Sequence, residues 1–265
     1  MKIPERKRLR RERLRTTPFP PEWREIITRN VPIFSRLPTT DQQELLGHVQ
    51  VFLNEKRFEG CAGLELTDEM RVTIAAQACL LLLHRETDYY PELTSILVYP
   101  SSYVVEEDRY IGDNLWAEGA EGRLGHTARH LGSLVLSWDD VKHGAAAPAD
   151  GQNLVVHEFA HQLDFEDSNT DGAPALSTRS EYLTWARVMR PEFDALREAE
   201  GTGTESVLDT YGAANPAEFF AVATEAFFER PRALRAKNRK LYDRLAAFFR
   251  QDPIAFSAEE KRPGR

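Results

Sequence analysis

The stretch NLVVHEFAHQLDFED, residues 153–167, constrains this chain more than any other. On an α-helix, positions four apart share one face about a turn apart, so His157 and His161 aim two imidazoles at one point. Val155, Val156, Phe159, Ala160 and Leu163 supply an apolar flank, so the helix can be buried with its histidine edge facing a site. Two imidazoles do not complete a metal site. A third donor has to arrive from another segment.

Neutral imidazole suits Zn²⁺, and a catalytic zinc keeps three protein ligands and one open position. Glu158, directly after the first histidine, stands where a general base can take a proton from water at that position. Downstream, YGAANPAEFFAVATEAFFERP offers Glu218 and Glu225 on a helix expected over 216–229, with Pro216 in its first turn. Seven residues leave the two carboxylates on nearly the same face, with about 20° of drift per heptad, so periodicity does not choose between them. Carboxylates on a stripe containing Phe219, Val222 and Phe227 are costly to bury without a cation, which the metal would provide. Asp164 faces the same way as the histidines and competes as a ligand. We read it instead as support, accepting an imidazole N–H or holding the helix end. As a fourth ligand it would make a closed structural zinc site with no reactive water.

Composition sets the class. The chain has 265 residues, 42% hydrophobic and 29% charged, enough for a well-buried core in a soluble globular protein. Its longest apolar run lies in IAAQACLLLLH, residues 74–84, well short of the ~20 residues a membrane span requires. Cys61 and Cys79 have no paired spacing, so a reducing cytoplasm is the expected location. Charge is uneven: the first 15 residues carry +6 and the other 250 carry −14, for a net −8. An acidic body argues against direct nucleic-acid binding, and the basic arm reads as a solvated, disordered terminus.

Helices are expected near 22–29, from TTDQQELLGHVQVFLNEK with Thr40 or Asp41 as cap, and from Thr67 or Asp68 onward. Strands are expected in TSILVYPSSYVVEE and in GSLVLSWDDV, residues 132–141. After a break at KHGAAAPADGQN, Asp150 or Asn153 can cap the histidine helix, and further helices follow over about 178–200, 216–229 and 238–250. Strands before the motif and helices after it give an α+β class.

Across residues 95–253, the stretches LVLSWDDV, DGQNLVVHEFAHQLDFED, DGAPAL, YGAANPAEFFAVATEAFFERP and LYDRLAAFFRQDP resemble the glucose-regulated metallopeptidases of the Mlc titration factor A family. The resemblance implies a zincin-like α+β fold with a small mixed sheet, and a gluzincin-type site whose third ligand is a glutamate downstream of the histidines. YGAANPAEFF also resembles the corresponding segment of the anthrax lethal factor protease. That likeness makes Glu218 the ligand of a single Zn²⁺, Glu225 its neighbour, and Tyr211 the donor to the developing oxyanion. The implied activity is peptide-bond hydrolysis, aminopeptidase-like, on a peptide or protein substrate. A glucose-responsive transcriptional repressor is the implied partner, so a regulator that sequesters a repressor without catalysis is the competing expectation. In zincins the sheet-edge strand beside the metal pairs with substrate, and residues 133–138 are a candidate for it. The domain reading is a disordered arm over 1–20 without a family element, one zincin-like domain over 21–258 whose residues 21–65 form a helical layer, and a tail over 259–265.

Overall fold

Why a helix this rich in charge settles at the N-terminus is answered by what lies beneath it. In the computed structural model, which describes residues 3–101, 125–128, 132–146, 151–167 and 169–256, α1 (Glu5–Thr16) packs along α3 (Thr39–Glu55), with α2 (Pro21–Asn30) between them in sequence. Arg11 turns inward, 5% exposed, and its guanidinium meets the Glu55 carboxylate at 2.9 and 2.7 Å and Asp88 at 2.6 Å. The arm is therefore not the disordered terminus its charge suggests. Seven arginines and lysines dominate its length, but three contacts fix its inner face: Arg11, Lys7 to Asp88 at 2.8 Å, and Arg10 to Asn54 at 2.6 Å.

A short strand, β1 (Arg57–Gly60), follows α3 and had no counterpart in the sequence reading. Thr67 then caps α4 (Asp68–Leu80), its side chain accepting from the Met70 N–H, and this helix is buried almost all round. Strands β2 (Ser95–Tyr99), β3 (Gly125–Ala128) and β4 (Ser133–Ser137) complete a four-stranded sheet in the order β1-β2-β4-β3. The first three in that order run parallel; β3 is antiparallel to β4. In β2, Ile96 and Val98 are buried while Ser95, Leu97 and Tyr99 are half-buried, the alternation a pleated strand imposes.

The strand expected over 132–141 stops at Ser137, and Trp138 opens α5 (Trp138–Ala146), whose Asp139 and Asp140 suit the first turn of a helix. β4 is also interior, paired with β2 on one side and β3 on the other, so residues 133–138 are not the sheet edge. Among the described residues β3 occupies that edge, against the histidine helix. The second strand expected in TSILVYPSSYVVEE lies outside the described residues, as does the expected tail over 259–265.

The rest is helical: α6 (Leu154–Asp164), α7 (Arg179–Thr202), α8 (Pro216–Glu229), α9 (Pro231–Lys237) and α10 (Arg239–Phe249). Mixed α+β with a small sheet, this is consistent with a zincin-like fold. The core is continuous from α2 to Phe256 and has an aromatic centre. Phe159 on α6 meets Tyr90 at 4.8 Å and Phe52 at 5.6 Å between ring centroids, anchoring the inner face of the site helix. Phe220 meets Trp185 at 5.5 Å and Phe227 stacks on Phe249 at 5.6 Å, anchoring α8. Among the described residues no helix is long and apolar enough to cross a membrane.

Candidate metal centre

The two helices that carry the donors are each started by an asparagine. Asn153 accepts from the Val156 N–H at 3.0 Å, opening α6, and Asn215 accepts from the Glu218 N–H at 3.0 Å, opening α8 behind Pro216. The two caps fix where each helix begins and so which turn presents its donor. α6 and α8 lie against each other, with His157 and His161 largely buried on one and Glu218 on the other.

The donors converge. Nε2 of His157 lies 3.1 Å from Glu218 Oε2, Nε2 of His161 lies 3.3 Å from the same oxygen, and the two Nε2 atoms are 3.2 Å apart. A tetrahedral ion with bonds of about 2.0–2.1 Å sets its ligand atoms roughly 3.3 Å apart, so this triangle matches one face of such a site. Among the described residues, His157, His161 and Glu218 are the one group of three or more such side chains close enough to share an ion. Electrostatics agree with geometry. Burial works against a charged His157, but hydrogen bonds and charge from Glu218 and Glu225 overcome it and push the imidazole up to about 10. Burial likewise works to raise Glu218, yet both histidines hold it well below the usual carboxylate range. Without a metal, the carboxylates of Glu218 and Glu225 favour positive charge on His157; a divalent cation would displace the Nε2 proton and bring charge of the same sign.

Glu225 does not join the triangle. It takes the opposite edge of the same ring, with Oε1 2.7 Å from His157 Nδ1, while Oε2 accepts from the Asn153 backbone N–H at 2.6 Å. Asp164 is not in the triangle either. Fully buried, with its carboxyl raised to about 6 chiefly by that burial, it accepts from the Gly172 N–H at 3.1 Å. Gly172 has φ +76°, and a Cβ there would meet the Pro216 carbonyl oxygen at 2.3 Å, so Asp164 ties the chain after α6 against the start of α8. Asp164 Oδ1 and His161 Nδ1 are both buried and have no hydrogen-bond partner among the described residues.

Glu158 is 4% exposed on the same helix, next to the first histidine. Tyr211 sits in the 3₁₀ turn Thr210–Ala213, where the Asp209 side chain accepts its backbone N–H at 2.8 Å. Its ring is half-buried, with its centroid 6.1 Å from that of His157. His157, His161 and Glu218 therefore share one point, with Glu158 on the same helix as the histidines and the Tyr211 ring beside His157.

Two residues that hold the site escaped sequence reading. Gln77 of α4 accepts from Asn153 Nδ2 at 2.9 Å, and Glu229 of α8 accepts from the same amide at 3.1 Å. A signal existed for the first: Gln77 is the lone amide in the apolar run IAAQACLLLL, and a buried amide needs a partner.

Relatives match this chain along most of its length. An uncharacterized protein of Synechocystis sp. is 36% identical over 245 residues, 92% of this chain and 89% of that protein. Mlc titration factor A of Yersinia pestis is 31% identical over 237 residues, 88% of this chain and 86% of that protein. The profile described as Glucose-regulated metallo-peptidase M90 matches residues 6–250, which takes in the basic helix α1 that the sequence reading left outside the family. With its donor triangle set between two helices inside that span, the chain belongs to the glucose-regulated metallo-peptidase M90 family.

Proposed function

We propose that the protein is a zinc-dependent peptidase of gluzincin type, in which His157, His161 and Glu218 bind one Zn²⁺, Glu158 is the general base and Tyr211 assists the oxyanion. The observation that carries this reading is the triangle of donor atoms at 3.1, 3.2 and 3.3 Å, with Glu158 one residue from a corner. Held by His157, His161 and Glu218, a zinc ion would supply Lewis-acid polarisation of the substrate carbonyl and of water. The chain's own groups do the rest. Glu158 accepts a proton from the attacking water and returns it to the departing amine nitrogen, a shuttle suited to a carboxylate held beside the reacting centre. The Tyr211 phenol donates to the oxygen that gains charge as the carbonyl becomes tetrahedral, an interaction that strengthens late in the reaction. Among the described residues β3 is the sheet edge against α6, and there it would offer an extended peptide a backbone to pair with.

Aminopeptidase-like specificity and a cytoplasmic location complete the reading; both free cysteines, Cys61 and Cys79, suit a reducing compartment. The name of the Yersinia relative favours a second reading, a regulator that binds a glucose-responsive repressor. Glu158→Gln separates the two. On the peptidase reading it abolishes hydrolysis and leaves metal content and thermal stability near wild type; unchanged hydrolysis would remove Glu158 from the mechanism, and a regulator would bind its repressor equally well in both forms.

A further inference from the structure

We infer that Glu225 is a positioning residue that fixes the ring of His157 for metal binding, and that it does so by gripping the ring and the start of α6 at once. The inference rests on His157 being a metal ligand, as proposed above. Each of its two carboxylate oxygens has a separate N–H group to hold. Oε1 meets His157 Nδ1 at 2.7 Å, and Oε2 accepts from the Asn153 backbone N–H at 2.6 Å. Glu225 is 7% exposed, so neither bond has water as an easy substitute.

The consequence for the ring follows from its chemistry. A neutral imidazole has one N–H and one lone pair, and a carboxylate at Nδ1 keeps the proton there. The lone pair is then left on Nε2, which faces Glu218 and His161. The second bond fixes the backbone from which the ring grows. The carbonyl of Asn153 accepts the His157 N–H at 2.9 Å, so the residue whose N–H Glu225 holds is one helical turn before the ligand. Two carboxylates from α8, two helical turns apart, thus bracket one imidazole: Glu218 on the metal side, Glu225 behind it. This explains why spacing on α8 could not choose between them. Both are used, on opposite edges of the same ring.

Glu225→Gln tests the assignment because the amide is the same size but has one acceptor where two N–H groups need one each. If its oxygen stays on the Asn153 N–H, its NH₂ faces Nδ1 and favours the tautomer with the proton on Nε2, which blocks the metal. Zn²⁺ affinity, read by competition with a chromophoric chelator, is expected to fall about 10–100-fold. The visible spectrum of the Co²⁺-loaded protein is expected to change, while the metal-free protein melts within a few degrees of wild type. Glu225→Asp, one methylene short of reaching both groups, provides a second variant and is expected to lose affinity too. Asn153→Ala is the structural control. It removes the cap and the bonds to Gln77 and Glu229 but leaves the backbone N–H and the Glu225–His157 contact, so it should lower melting temperature with little loss of affinity. Wild-type affinity in both Glu225 variants overturns the inference. So does an equal loss in Asn153→Ala, which would make helix integrity the cause. Wild-type protein that takes up no Zn²⁺ overturns the functional reading and this inference together.

Discussion

Replacing Arg11 with alanine decides whether the basic N-terminal helix is part of the folded body. Its guanidinium is buried, held by two hydrogen bonds to Glu55, an ion pair to Asp88, a bond to the Asp88 carbonyl at 3.0 Å, and the face of Tyr89 at 4.6 Å. Arg11→Ala leaves the Glu55 carboxylate, 12% exposed, without its cation. Breaking a buried pair from one side costs about 3–5 kcal/mol, against 0–1 for an exposed pair. The lower end applies here, because Asp88 keeps Lys7 at 2.8 Å and is itself 24% exposed. A loss of about 3 kcal/mol in a chain of this size lowers Tm by roughly 6–10 °C. Arg13→Ala, at an exposed position on the same helix, should stay within about 0.5 kcal/mol of wild type. Urea unfolding of the three proteins measures both values. If Arg11→Ala also lies within 0.5 kcal/mol of wild type, the docking of α1 contributes nothing and the helix is a passive appendage.

Two further outcomes follow from the site and from the face under α1. Tyr211→Phe should retain its metal and lose about 10²–10³ in kcat, the usual cost of one oxyanion donor; intact kcat would make Tyr211 a structural residue of its turn. Glu44 titrates at about 2 because of its hydrogen bond to His48, with burial opposing and the His84 N–H adding to the depression. Its folded value lies below the ordinary 4.5, so its contribution is complete above pH 4.5 and is lost as pH falls through about 2. The full shift corresponds to about 3 kcal/mol, and partial exposure reduces that to about 1–2. Chemical denaturation should therefore show wild type more stable than Glu44→Gln at pH 7, with the gap closing toward pH 2; a gap independent of pH would refute it.

Local signals made most helices legible. Thr67 and Asn153 cap the helices they were expected to open, and α7, α8 and α10 begin and end within a few residues of their apolar patterns. Where the expectation failed, the deciding partner was distant or the local cue was overridden. Neither Thr40 nor Asp41 caps α3, because Pro38 ends the preceding chain and Thr39 already lies in the helix. From sequence α1 looks like a solvated charge block, because Glu55 and Asp88, which order it, lie 44 and 77 residues away from Arg11. The strand pattern of β4 runs on into Trp138, Asp139 and Asp140, but there the acidic residues begin a helix instead. At the site, the histidine pair and Glu158 follow from helical spacing alone. The division of labour between Glu218 and Glu225 does not, since it depends on how α6 and α8 cross.

Metal content tests the central claim most directly. Purified wild type is expected to hold one equivalent of zinc, and Glu218→Ala, which removes the one carboxylate corner of the triangle, is expected to lose most of it together with peptide hydrolysis. Stoichiometric zinc retained in Glu218→Ala would contradict the assignment of His157, His161 and Glu218 as the metal site.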